Sequence, residues 1–457
     1  MTKPFGFKDK FAYLMGDIGN DFTFVLSSTF LLKFYTDVMG VSAAVVGTIM
    51  MIARFVDAFT DVTMGRICDR SRTTPVGKFK PWILRMCGPV AIASFLMYQS
   101  SLADMPMAFK IGYLLVTYIL WGSVFYTAIN IPYGSMASAI SEESGDRQSL
   151  STYRSIGASF AGVIVGALIP VIAYKEVDGI PVMDGKIFTL IAGIFSGAAV
   201  ISYLICYRLT TERVRIESSR EKQQSNSVTL MLKNAFTNKA LLSIIAASIL
   251  MLLAQMTLQS MANYVFPNYY GNTTAQSVSM VVMLVGALAV AAVTKPISTR
   301  FGKAEISVVA SFVAAATCVL LFFLRPENVW VYVALQAVCW ISLGVFSMIS
   351  WALITDVIDY SELKNGIRED GSVYALYSFA RKLGQAGAAG LTGALLTAIG
   401  YSDTTAFDES VRDGIYNIST IVPAVGFVLL ALVLWLWYPL HKNQVEENVK
   451  ALKEKRK

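Results

Sequence analysis

Apolar runs of roughly 20 residues recur along almost the whole chain, with short polar or charged stretches between them. Crossing a bilayer as a helix takes about 20 mostly apolar residues. The pattern predicts twelve such helices, centred near residues 25, 50, 92, 120, 163, 197, 250, 285, 313, 343, 388 and 427. Small and polar residues interrupt those near 120, 285 and 388. Aromatic residues near segment ends, at Tyr35, Trp82, Trp121 and Trp437, are read as an interfacial belt. One long polar stretch, 211–238, separates six predicted spans from six. The expected architecture is an all-α polytopic membrane protein. It comprises a six-helix bundle over 1–210, a cytoplasmic linker over 211–238 with a short amphipathic helix at 228–236, a second six-helix bundle over 239–441, and a basic tail over 442–457.

Composition agrees with this pattern. Of 457 residues, 55% are hydrophobic and 15% charged, whereas a soluble domain carries about 25% charged residues. The net charge of +7 raises the question of nucleic acid, and the distribution of charge answers it. With the loops assigned to alternating sides, 31 of the lysines and arginines fall on one side and five on the other. The positive-inside rule then puts both termini in the cytoplasm, so the basic surplus reads as topology. The basic start, 1–10, runs into a full-length span with no small-residue cleavage site, and no signal peptide is expected. Cys68, Cys87, Cys206, Cys318 and Cys339 form no Cys-x-x-Cys pair and read as buried free thiols. The sole histidine, His441, lies in the tail, which excludes an intramembrane histidine relay. No Walker-type phosphate loop and no His-Glu-x-x-His pattern occurs, against an ATP-driven pump and a zinc protease. Asn272-Thr-Thr274 matches a glycosylation acceptor.

The halves echo each other. The second span ends in Asp61-Val-Thr-Met-Gly65-Arg-Ile-Cys-Asp69-Arg70, the eighth in Lys295-Pro-Ile-Ser-Thr-Arg300-Phe-Gly302-Lys303. Ser151-Thr-Tyr-Arg154 and Tyr377-Ser-Phe-Ala-Arg381-Lys382 stand at matching junctions. Such duplication builds transporters whose site lies near the bilayer midplane.

Ionisable groups at membrane depth carry the chemistry, because each costs about 2.5–3.5 kcal/mol on insertion scales and marks a pathway or a partner. Arg54, Asp57 and Asp61 share one helix face. Two carboxylates one turn apart call for a proton, a sodium ion or an arginine, and hard cations take oxygen ligands of this kind. The reading is a coupling-cation site; the alternative is an Arg54–Asp57 pair that holds the bundle together. Asn20, Asp21 and Asn130 suit the hydroxyls of a polyol. Asp17 reads as a gate or a cap. Arg154 and Lys382 are placed to pair with buried acids or to grip an anionic substrate, and Arg381 to snorkel or to gate. The charge-dense turn from Gly65 through Asp69, Arg70 and Arg72 reads as orientation together with salt bridges made in one conformation, a partner being the run Asp356-Val-Ile-Asp359-Tyr-Ser-Glu362.

These residues resemble the glycoside–pentoside–hexuronide:cation symporters, a branch of the major facilitator superfamily, over nearly the whole chain. The resemblance is carried by Gly16-Asp17 with Asp21, Phe34-Tyr35-Thr36-Asp37, Val45-Val-Gly-Thr48, Asp57-Ala-Phe-Thr60-Asp61 and Gly77-Lys-Phe-Lys-Pro-Trp82. It continues in Asn130-Ile-Pro-Tyr133, Asp356-Val-Ile-Asp-Tyr360 and Gly366-Ile-Arg-Glu-Asp-Gly371. The Asn130-Ile-Pro-Tyr-Gly134 stretch and the tail Trp437-Tyr-Pro-Leu440 look similar to the glucuronide-carrier and sulfosugar-type members, and the melibiose-type member supplies the comparison of site residues. The family implies two six-helix bundles, alternating access, and import of a sugar with H+, Na+ or Li+. It implies a cation site, Na+ included, at Asp57, Asp61 and Thr127, with Thr60 beside them. It implies sugar contacts at Asp21 and Arg154, a coupling-sensitive Lys382, and a substrate-facing stretch that includes Tyr133. Asn20, Asn130 and Gly134 replace a lysine, an aspartate and a tryptophan of the melibiose-type member. That leans away from a galactoside and towards an anionic sugar held by Arg154 or Lys382.

The expected function is therefore cation-coupled import of a uronide, sulfosugar or pentoside across a bacterial inner membrane. The partners would be the sugar, the cation and the lipid bilayer, with no cofactor, no nucleic acid and no obligate protein partner. A same-fold carrier of a lysolipid would want an apolar cavity, against Asp21, Asn130 and Arg154. A sugar sensor would usually add a signalling domain, and an enzyme lacks a catalytic constellation.

Overall fold

The computed structural model describes residues 4–214, 238–365 and 370–455. The predicted amphipathic helix at 228–236, most of the linker and part of the motif from Gly366 lie outside the described residues. In chain order the helices begin with α1 (Phe7–Asp37), α2 (Ala43–Arg70) and α3 (Lys80–Leu96). Next, α4 (Met107–Ile119) runs through a π-turn (Leu120–Tyr126) into α5 (Thr127–Ile140). After α6 (Ser144–Ile172) and α7 (Gly185–Leu209) come α8 (Lys239–Tyr264), α9 (Thr273–Phe301), α10 (Lys303–Leu324) and α11 (Val329–Asn365). Then follow α12 (Asp370–Ala398), α13 (Glu409–Leu432) and α14 (Lys442–Lys455).

Every predicted span centre falls inside a helical stretch. Among the described residues, eight helical stretches are long and apolar enough to cross a membrane. Outside that set, α3 has 17 residues and α1 carries Asp17, Asp21, Lys33 and Asp37 along its length. Large apolar side chains face outward, with Phe59 75% and Phe323 77% exposed. Water would penalise such a surface, whereas lipid does not. The aromatic-belt reading is corrected at two positions: Tyr35 and Trp121 are buried in the packing at 0% and 1% exposure. Contact with neighbouring rings, edge-on to Phe34 for Tyr35 and tilted against Tyr118 for Trp121, holds them inward.

Contacts divide the chain into two units, 1–221 with 393–408, and 222–392 with 409–457. In the first, α1 lies against α6 and α7, α3 against α7, and α2 against α4 and α5. The α1–α6 approach depends on Gly157, where a methyl group would stand 2.6 Å from the Leu14 carbonyl oxygen. Segment 393–408 belongs here because Thr397 caps α2 from outside it. The Ala44 N–H donates to Thr397 Oγ1 at 2.8 Å, while the formal cap Ser42 makes no side-chain cap bond.

The chain leaving α7 is strapped onto the same unit. Glu212 accepts the backbone N–H groups of Lys78, Phe79 and Lys80 at 2.6, 2.9 and 2.8 Å. Arg213 holds Asp9 at 2.8 Å and donates its own N–H to the Ala139 carbonyl. Between α6 and α7 a hairpin pairs β1 (Tyr174–Val177) with β2 (Ile180–Met183). Its Asp178-Gly179 turn has both φ angles positive, at 51° and 78°, as a two-residue hairpin turn requires. Asp184 then caps α7, and the Ile187 N–H holds its carboxyl below the usual carboxylate range.

In the second unit α8 lies against α13, α10 against α11 and α13, and α9 against α11. Its core gathers Ile244, Met251, Phe346, Leu353, Tyr377 and Leu430. Asn272, the glycosylation match, is the N-cap of α9 and accepts the Ala275 N–H at 2.9 Å.

Candidate functional site

In the first unit α2 presents its acids to the π-turn and to the start of α5. A π-turn inserts a wider ring into the helix and often marks a functional position. Here it turns Ser123 and Thr127 towards α2 together. Ser123 Oγ donates to Asp57 Oδ1 at 2.5 Å, and Thr127 Oγ1 donates to Asp61 Oδ1 at 2.9 Å. Arg54 reaches the other Asp57 oxygen at 3.4 Å and lies over the Phe24 ring at 5.2 Å. Buried Asp57 and half-buried Asp61 thus stand in an oxygen-rich cluster beside Arg54. The Arg54–Asp57 pair expected as the alternative reading is present, and the same acid also accepts the Ser123 hydroxyl. Such a set offers a cation carboxylate and hydroxyl oxygens. Thr60 is turned otherwise; its hydroxyl donates to the carbonyls of its own helix, Val56 and Asp57. Ser123 was missed by sequence reasoning, because a serine in an apolar run carries no signal until the π-turn sets its direction.

A second polar group lies along α1. Arg154 Nε donates to Asp17 Oδ1 at 3.0 Å; Arg154 is 41% exposed in its side chain and Asp17 5%. The guanidinium also covers the Tyr133 ring at 5.4 Å. Tyr133 is fully buried, stacked on Tyr13 at 4.6 Å, with its hydroxyl donated to the Tyr13 carbonyl. In this arrangement Tyr133 supports Arg154 from below. Asn20 accepts from the Tyr203 hydroxyl at 2.8 Å and donates to Asn130 at 3.5 Å. Asp21, one turn beyond Asp17, is half-buried and makes no hydrogen bond or ion pair among the described residues. At the far end of α1, buried Lys33 meets Asp37 at 2.7 Å and the Tyr401 hydroxyl at 2.7 Å.

The remaining expected residues are spread more widely. Gly65 is in α2, Arg70 ends that helix and Arg72 follows it, the two arginines both exposed; the side chain of Asp69 lies outside the description. In the second unit Lys303 grips both Asp356 oxygens at 2.6 and 2.8 Å, beside a cavity of about 180 Å³ that Gly302, Leu440 and Lys442 help to line. Asp359 and Lys382 are half-buried and partnered. Arg381 lies over the rings of Trp351 and Tyr377.

A predominantly helical chain with large apolar side chains on its outer surface is the architecture of a multi-pass membrane protein, and the family comparison makes it a transporter of the major facilitator type. Residues 12–442 match the family described as MFS/sugar transport protein, and the chain belongs to it, as a multi-pass relative of the glycoside–pentoside–hexuronide:cation symporters. It is 31% identical to a glucuronide carrier protein homolog of Escherichia coli over 100% of this chain and 98% of that one. It is 30% identical to an isoprimeverose transporter of Lactiplantibacillus pentosus over 95% and 89%. Among solved structures a D-xylose-proton symporter superposes with a TM-score of 0.66 at 14% identity, covering 94% of this chain and 97% of that one. At that identity the likeness speaks to fold. Membership in a family of transporters, with relatives that carry sugars, makes this a sugar-transport protein and not an enzyme.

Proposed function

We propose that the protein imports a sugar or glycoside by symport with H+ or Na+, cycling by alternating access between two six-helix bundles with twelve spans and cytoplasmic termini, in a bacterial inner membrane. The observation that carries the reading is the pair Asp57–Ser123 and Asp61–Thr127, two acids of one helix each held by a hydroxyl of another. Carboxylate and hydroxyl oxygens are the donors that a proton or a sodium ion takes, and an ion bound there lowers the cost of holding acids at membrane depth. The polar lining offered by Asn20, Asp21, Asn130 and Arg154 favours a polyhydroxylated solute over a lysolipid. The similarity to a glucuronide carrier homolog and an isoprimeverose transporter supports a glycoside. The test is uptake of labelled sugars into vesicles carrying the purified protein: a glucuronide, a sulfosugar, a xyloside and melibiose, each under a sodium or a proton gradient. Accumulation of one of them under one gradient is expected. Absence of accumulation of every sugar under both gradients contradicts the reading.

A further inference from the structure

Among the buried donors of the second unit that make no hydrogen bond among the described residues, two stand together on α12. Arg54, Arg154 and Lys303 each meet a carboxylate, whereas Arg381 meets none among the described residues, and its Nη1 is buried without a hydrogen bond. One turn earlier on α12, the hydroxyl of Tyr377 is also buried and unpaired, in a side chain with 0% exposure. The spacing of four puts both on one helix face. The guanidinium lies 5.9 Å from the Tyr377 ring centre and 5.5 Å from that of Trp351. Trp351 meets Tyr377 edge-on at 5.1 Å and is itself 40% exposed. Arg381 stands about 16 Å along α12 from its first residue, at a rise of about 1.5 Å per residue, well inside the helix. Buried polar groups in folded proteins are almost always bonded, and an orphan is informative.

We propose that Arg381 and Tyr377 form an anion subsite that selects an acidic sugar, one bearing a carboxylate or a sulfonate. The inference rests on the transport reading and names its substrate class. A permanent cation well inside a helix, with no carboxylate partner among the described residues, is neutralised by a substrate's single negative charge. A guanidinium Nη1 and a phenol hydroxyl supply two donors to two oxygens of one oxyanion. The Trp351 ring holds the guanidinium plane by cation–π attraction and leaves an exposed apolar face beside it, against which the C–H face of a sugar ring packs. Arg381 is thereby assigned a role that Arg154, whose Nε is committed to Asp17, does not fill.

The experiment measures KM in vesicles for a phenyl glucuronide, a 6-sulfonated glucoside and a neutral methyl xyloside, in wild type, Arg381→Gln, Arg381→Lys and Tyr377→Phe. Arg381→Gln raises the ratio of acidic to neutral KM roughly tenfold or more, the scale of a lost charge-assisted hydrogen bond. Arg381→Lys raises it less, and Tyr377→Phe by about threefold to fivefold. If Arg381→Gln does not yield folded protein, Tyr377→Phe decides by the same ratio. A ratio unchanged in the folded variants, or equal losses on acidic and neutral sugars, overturns the proposal. A wild type that accumulates the xyloside and ignores both acidic sugars also overturns it, while leaving the transport reading in place. A wild type that accumulates none of the three overturns the transport reading itself. Preference between the glucuronide and the sulfonate identifies which oxyanion the subsite takes.

Discussion

Removing the Glu212 carboxylate by Glu212→Ala unfastens the strap that follows α7. Three backbone N–H groups point at it, those of Lys78, Phe79 and Lys80, at 2.6 to 2.9 Å. Two of them belong to the entry of α3, whose N-cap Phe79 offers no side-chain bond of its own, so no other described group serves those donors. Hydrogen bonds to a charged acceptor are worth about 1.5–3 kcal/mol each when buried. The site is half-buried, and about 1 kcal/mol per bond is the appropriate scale, or about 3 kcal/mol in sum. Local opening of that segment then becomes roughly a hundredfold more frequent. Hydrogen–deuterium exchange of the 78–80 amides in detergent-solubilised protein reads this directly, with Glu212→Gln falling between wild type and Glu212→Ala. Exchange at an unchanged rate in Glu212→Ala would refute the account of the strap.

The other predictions concern buried polar contacts. Lys33→Leu strands the Asp37 carboxylate and costs about 3–5 kcal/mol, seen as a lowered thermal midpoint. The double variant Lys33→Leu with Asp37→Leu recovers much of that loss, and a double variant no more stable than the single one contradicts the pairing. Ser123→Ala removes the 2.5 Å bond to Asp57 and raises the cation concentration for half-maximal sugar uptake by about fivefold to tenfold. Ser123→Thr keeps the hydroxyl and restores most of it. A half-saturating concentration indifferent to Ser123→Ala separates that serine from the coupling site.

Much of the helical architecture is legible in the chain because lipid demands long apolar runs, and each predicted centre lies in a helix. The i,i+4 spacings of Asp57 with Asp61 and of Lys33 with Asp37 are equally legible, since helix geometry fixes who shares a face. Contacts between distant segments are not. Tyr401 reaches Lys33 across 368 positions, and no local pattern announces it. Thr127 entered through resemblance alone, and Ser123 depends on a π-turn that changes the helix register. The motif Gly77-Lys-Phe-Lys-Pro-Trp82 was visible as a signature, but its reason was not. The loop is a row of amides for Glu212, a residue that read only as part of the polar linker. Gly77 has φ +124°, and a side chain there would strike the Glu212 carboxylate. Tyr35 and Trp121 misled for the opposite reason: aromatics near a span end suit an interface, yet ring packing buries them.

The central claim, that Asp57 and Asp61 bind the coupling cation, is tested most directly in Asp57→Asn. The variant is compared with wild type for uphill sugar accumulation under an ion gradient and for exchange of labelled against unlabelled sugar at equilibrium. The account predicts that accumulation is abolished while exchange persists, because the sugar path is intact and its link to the cation is cut. Accumulation in Asp57→Asn equal to that of wild type would contradict it.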